Sequence, residues 1–193
     1  MIDTKRKIVY IEIPRTASTA IRQAIGAPVV LPAHLTAREI AEQWETSWGD
    51  PKEYFWFTVV REPYERFKSL YRLEKLRDPG LGYRQFSNMD FYWGKVYKTQ
   101  HEWIEGAPVD FVRVFKYEEL IEAWLYMMTT YDLPPLKVVN SSREVVEVDD
   151  KDFMEETQYF LIESINADRN YFSYDNVPIS DHPGADRACK KDD

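Results

Sequence analysis

Apolar and polar positions along the chain alternate between short apolar runs and segments with helical spacing. The first run is Ile8 to Ile13, interrupted by Glu12 and ended by Pro14. A β-branched run bounded by proline reads as a buried strand, and proline stops the hydrogen-bond ladder. Arg15 to Thr19 is then a short turn holding one arginine and three hydroxyls. Ala20 to Ile25 predicts a helix with Ser18 or Thr19 as its N-cap, closed by Gly26-Ala27-Pro28. Val29 to Pro32 reads as a short extended piece. Thr36 with Glu39 three residues on is a capping box, and Ile40, Ala41 and Trp44 share one face, so the spacing predicts a helix over 36–47.

The second run, Tyr54 to Val60, is nearly all apolar or aromatic, as expected of a parallel strand covered on both faces. It ends in Arg61-Glu62-Pro63, and Pro63 suits the first position of a helix. That helix runs to about Arg77, with Phe67, Leu70, Tyr71 and Leu73 inward. Asp110 to Lys116 is a third strand, followed by a helix over 118–130. Residues 81–106, rich in aromatics, read as short helices and loops. Lys137 to Val148 reads as extended or loop, 150–168 as a long helix, and 180–193 as a polar tail. Repeated strand–loop–helix units predict an α/β fold with a mostly parallel central sheet flanked by helices. Its ligands bind at the carboxyl ends of the strands.

Composition narrows this picture. At 193 residues the chain reads as one domain over 1–179 plus the tail. A formal net charge of −8 argues against nucleic-acid binding through bulk charge, so an anion site has to be local. The lone cysteine, Cys189, leaves no intrachain disulfide and no cysteine metal cluster, and no metal site is expected. The charged N-terminus lacks the apolar core of a signal peptide, and no apolar run reaches a membrane span of about 20 residues. The expected compartment is the cytoplasm.

The chemistry-bearing residues sit at the two strand ends. A Gly-rich loop ending in Gly-Lys-Ser/Thr is missing, as are Gly-x-Gly-x-x-Gly, Gly-x-Ser-x-Gly and His-Glu-x-x-His. What remains is a pair of βα turns, each with an arginine. A helix N-terminus offers free N–H groups and a positive dipole end to phosphate or sulfate. Arg15 adds a charge there, and Thr16, Ser18 and Thr19 add donors. At the second strand end Arg61 stands at the helix mouth, with Arg66 and Ser69 sharing one helix face. Arginine, serine and N–H groups together hold one phosphate, although Arg61 and Arg66 also suit surface pairing with Glu62 and Glu65. Two such pockets point to a nucleotide with phosphate at both ends of its nucleoside.

Both turns resemble motifs of the sulfotransferases that use 3'-phosphoadenosine 5'-phosphosulfate (PAPS), closest to the carbohydrate or Golgi-type branch. Ile13-Pro14-Arg15-Thr16-Ala17-Ser18-Thr19 resembles the phosphosulfate loop. Val60-Arg61-Glu62-Pro63 through Arg66 to Ser69-Leu70-Tyr71 resembles the 3'-phosphate motif. His34-Leu35-Thr36-Ala37 resembles the His-x-Thr-Ala element of bacterial members, and Phe115 to Leu120 the Tyr-Glu-x-Leu segment. Asn140 to Arg143 and Asp168 to Tyr174 resemble late family features. The resemblance implies a three-layer, P-loop-like α/β fold. It assigns the 5'-phosphosulfate to Arg15, Thr16, Ala17, Ser18 and Thr19 and the 3'-phosphate to Arg61 and Ser69. Arg15 and His34 become the catalytic candidates, His34 as base toward an acceptor hydroxyl of a small molecule or carbohydrate. A neutral imidazole, with an ordinary pKa near 6.5, takes a proton near pH 7. Two positions depart from the family: Arg15 stands where lysine is usual, and Glu12 where related sequences often have histidine. Two other readings stay open: a nucleotide kinase or phosphotransferase on a related core, and a non-catalytic nucleotide-binding protein.

Overall fold

The structure is a computed structural model that describes residues 1–26, 31–87, 98–137, 146–149, 153 and 159–174. Several expectations lie outside these residues: the extended piece at 29–30, the aromatics at 88–97, the stretch 138–145 and the tail 180–193 with Cys189. Most of the first part of the helix expected over 150–168 also lies outside them. In chain order the elements are β1 (Ile2–Asp3), β2 (Ile8–Ile11), α1 (Ser18–Ile25), α2 (Ala37–Glu42), β3 (Phe55–Val60), α3 (Pro63–Arg77), α4 (Tyr83–Ser87), α5 (Gln100–Ile104), β4 (Arg113–Lys116), α6 (Leu120–Tyr131) and α7 (Tyr159–Phe172). The chain divides into two units, residues 1–62 with 100–141, and 63–99 with 142–193. Among the described residues, no helix is long and apolar enough to cross a membrane.

The first unit is a mixed α/β structure built on a four-stranded sheet of order β1-β2-β3-β4. The three apolar runs of the sequence are its parallel strands: β2 pairs with β3 through Tyr10↔Phe57 and Ile11↔Thr58, and β3 with β4 through Phe57↔Arg113 and Val60↔Lys116. β2 is buried along its whole length, and β3 from Trp56 to Val60, because a parallel strand between two neighbours has both faces covered. β4, at the edge, is buried only at Phe115. On one face Ile8, Tyr10, Phe57 and Val59 meet Ile21 and Ile25 of α1 and Trp124 and Met127 of α6. Tyr10 stacks on Phe57 with ring centroids 4.9 Å apart.

Three details differ from expectation. β1 was not expected at all. Its two residues pair antiparallel with β2, and the charges after it close the hairpin. Asp3 Oδ1 accepts from the N–H groups of Lys5 and Arg6, and Arg6 Nη1 donates to Asp3 Oδ2 at 2.8 Å. α2 stops at Glu42, short of the expected 47. Trp44 turns away to stack on Trp56 at 5.8 Å and donates its indole N–H to the Gly49 carbonyl. The third strand starts at Arg113, three residues later than expected.

The second unit has its own apolar cluster, in which Phe67, Leu70 and Tyr71 of α3 meet Leu81, Phe86, Phe153 and Ile165. Three of the four residues expected inward on α3 are therefore core, while Leu73 is only half-buried. α7 runs on to Phe172, four residues past the expected end.

Candidate functional site

β2 and β3 are parallel neighbours, so their carboxyl ends, followed by Arg15 and Arg61, emerge at the same edge of the sheet. After β2 the backbone turns sharply. Arg15 has φ +70° and Ala17 φ +65°, both left-handed, on either side of Thr16, whose φ is negative. Alternating hand curls successive N–H groups toward one side and makes an anion-holding concavity. The left-handed region costs a residue with a Cβ about 1 kcal/mol, so tertiary contacts hold it. The Thr16 hydroxyl, fully buried, donates to the Ile13 carbonyl at 2.9 Å. The proton of Thr16 is thus committed to shaping the turn rather than to a ligand.

The start of α1 corrects one expectation. Neither Ser18 nor Thr19 caps the helix: the N-cap is Ala17, with no side-chain cap hydrogen bond. The first N–H groups of a helix have no partner within it. Without a side-chain acceptor, the first turn of α1 presents its donors and its positive dipole end to whatever sits over the loop. Ser18 is buried at this end and Thr19 exposed.

Glu12 finds its role here. It lies on the same face of the strand as Ile8 and Tyr10, the face α1 covers. Its carboxylate, only 3% exposed, accepts two bonds from Arg22 of α1, Nε to Oε2 at 2.8 Å and Nη2 to Oε1 at 2.6 Å. The Met1 ammonium stands 3.8 Å from the same carboxylate. A two-pronged arginine–carboxylate pair fixes orientation as well as distance, so it sets how the mouth of α1 meets the loop. Removing one partner of a buried pair strands the other. Glu12→Ala is expected to cost about 2–3 kcal/mol, toward the lower end for such pairs because Arg22 is partly exposed. Melting of the variant should fall by about 4–12 °C; an unchanged melting curve would remove the pair from the fold's support.

His34 lies in the segment before α2, with φ +60°. Its Nδ1 is 2.9 Å from the backbone carbonyl of Glu12. A carbonyl only accepts, so Nδ1 carries the proton, and in the neutral ring Nε2 keeps its lone pair. The capping of α2 is left to Thr36 and Glu39, whose reciprocal bonds are both present. His34 therefore has no capping duty. Its ring meets Trp103 edge-on at 6.4 Å. The Trp103 indole N–H is fully buried with no hydrogen-bond partner among the described residues.

At the end of β3 the Arg61 guanidinium lies over the Tyr117 ring at 4.7 Å. Its backbone is held from both sides by Gln100: Arg61 N–H donates to Oε1 at 2.9 Å, and Nε2 donates to the Arg61 carbonyl at 2.8 Å. Sequence reading missed Gln100, which has no motif and stands 39 residues away.

Ser69 and Arg66 belong to the second unit, where both are buried on α3. Glu65 pairs with Lys68, and Arg66 is not at the surface. It is fully enclosed, donates to the Lys98 carbonyl at 3.3 Å, and has its pKa lowered to about 10 by burial, against the raising influence of Asp168. It still carries its charge at neutral pH. In the first unit the structure thus brings Arg15–Thr19 and Arg61 to one sheet edge, and ties His34 to the end of β2.

A model of the sulfotransferase family matches residues 1–123, which contain Arg15–Thr19, His34, Arg61, Ser69 and Gln100. Neither a curated protein nor a solved structure matches the chain.

Proposed function

Because this chain belongs to the sulfotransferase family, we propose that it moves a sulfuryl group from PAPS to the hydroxyl of a small-molecule or carbohydrate acceptor. The observation that carries this reading is the uncapped mouth of α1, curled by Arg15 and Ala17, beside a second arginine at the end of the neighbouring strand. Arg15, the N–H groups from Thr16 to Thr19 and the Ser18 hydroxyl take the 5'-phosphosulfate. Arg61 takes the 3'-phosphate, a role to which the family motif adds Ser69. The domain on this reading is three-layered and P-loop-like over 1–179, and the protein is cytoplasmic.

His34 Nε2 takes the proton of the acceptor hydroxyl as its oxygen attacks sulfur. The bond from sulfur to the 5'-phosphate oxygen breaks in line, and the electron pair stays on that oxygen. Arg15 and the N–H groups of the α1 mouth stabilise the charge that builds there. They are held in place before the reaction, so little reorganisation is needed.

Thermal shift with adenosine 3',5'-bisphosphate, AMP and ATP–magnesium tests the donor site. A ligand at about 100 times its Kd adds about 2.7 kcal/mol to the folded state. The bisphosphate should raise the melting temperature, AMP should do so far less, and Arg61→Ala should abolish the difference. No shift with the bisphosphate would overturn the reading, and a shift with ATP–magnesium alone would favour a phosphotransferase. Bisphosphate binding without transfer of labelled sulfate to any of a broad set of acceptors would favour a non-catalytic nucleotide-binding protein.

A further inference from the structure

Arg61 leaves the sheet one residue after the β3–β4 ladder ends at Val60↔Lys116. A chain leaving a sheet normally gains freedom at this point, yet Arg61 is the residue here whose side chain needs a fixed direction. The fully buried Gln100 at the start of α5 supplies the missing ladder. A primary carboxamide carries the same donor and acceptor as a peptide group, so it pairs with both the N–H and the C=O of one residue, as a neighbouring strand would. The orientation of the amide is dictated, since the N–H of Arg61 requires the oxygen and its carbonyl requires the nitrogen. The next N–H, that of Glu62, donates to Glu118 Oε1 at 2.8 Å, and the Arg61 guanidinium rests on Tyr117. Main chain and side chain are thereby held together.

We infer that Gln100 is a positioning residue that aims the Arg61 guanidinium at the 3'-phosphate, and so sets the preference for a 3'-phosphorylated nucleotide. This rests on the donor reading above. Leucine at this position fills similar volume and removes both bonds. Glutamate keeps the acceptor for the Arg61 N–H but sets a second carboxylate oxygen against the Arg61 carbonyl, with no proton to donate. Either change removes the bond to the Arg61 carbonyl, and leucine the bond to its N–H as well, at a residue outside the α1 mouth.

The test is calorimetric titration with adenosine 3',5'-bisphosphate and with AMP. It uses the wild type, Gln100→Leu, Gln100→Glu, Arg61→Ala and the double variant Arg61→Ala/Gln100→Leu. Each Gln100 variant should lose about tenfold in its preference for the bisphosphate over AMP, the size of one misdirected charge-assisted contact. In the Arg61→Ala background Gln100→Leu should cost nothing more, because a residue acting only through Arg61 has nothing left to aim. An unchanged preference, an equal fall in both affinities, or a full loss persisting without Arg61 would each overturn the inference. Gln100→Glu, nearly isosteric, carries the test if Gln100→Leu does not fold. A wild-type protein without preference for the bisphosphate would instead overturn the donor reading itself, so the two failures are told apart.

Discussion

Turnover by a His34→Ala protein is expected to fall by about 10²–10⁴-fold, the usual contribution of a positioned general base, with bisphosphate affinity left close to that of the wild type. The separation follows from the geometry. The only hydrogen bond found for the ring in the described residues runs from Nδ1 to the Glu12 carbonyl, which fixes the tautomer and leaves Nε2 as the basic nitrogen. On the proposed reading the phosphates are held by the N–H groups of the α1 mouth and the two arginines, and the one hydrogen bond of the imidazole found among the described residues goes to none of them. His34→Asn is the sharper variant. Asparagine tolerates the left-handed backbone observed at φ +60° and retains a donor for the Glu12 carbonyl, but has no basic nitrogen. It should keep the melting temperature and lose turnover as alanine does. Equal activity in His34→Ala would remove His34 as the base.

What the sequence displays and what it hides divide along sequence separation. The three parallel strands announce themselves because each is a contiguous apolar run, and the capping box of α2 because its two halves stand three residues apart. The two βα turns proposed to face phosphate could be read as units for the same reason: loop, arginine and helix start follow one another without a break. The supports of those residues were not. Glu12 meets Arg22 across a strand end, a turn and a helix, and its isolated carboxylate in an apolar run said only that a partner or solvent was needed. Gln100 reaches Arg61 from 39 residues away. Arg66, which by sequence suited either a phosphate or surface pairing with the glutamates beside it, is buried with Asp168 of α7 acting on it. β1 escaped because two residues carry no periodicity. The missing cap of α1 escaped because Ser18 and Thr19 are good caps by propensity, and only the backbone shows Ala17 in that place. The one failure inside the motif is thus informative, since a side-chain cap would occupy the donors that an anion needs.

Arg15→Ala should lower the rate of sulfuryl transfer by about 10²–10³-fold, the effect of removing one preorganised stabiliser of developing charge. Its effect on bisphosphate affinity should be smaller than that of Arg61→Ala. The two arginines stand at the same edge of the sheet, but on the proposed reading they meet different charges. The 3'-phosphate facing Arg61 is the same before and during the reaction, so that contact is uniform binding and appears in KM. The charge facing Arg15 grows on the departing phosphate oxygen as the bond to sulfur breaks, so its contact strengthens in the transition state and appears in kcat. Arg15→Lys decides whether the family's usual residue works in this loop. Lysine keeps the charge as a compact ammonium on a flexible stem and loses the planar fork, so it should recover most of the rate that alanine loses. Arg15→Gly separates charge from backbone. At φ +70° glycine relieves the left-handed strain, so this variant should fold at least as stably as Arg15→Ala and transfer as slowly. A full rate in Arg15→Ala, or a loss confined to KM, would place the stabilisation of the leaving group elsewhere than in this loop.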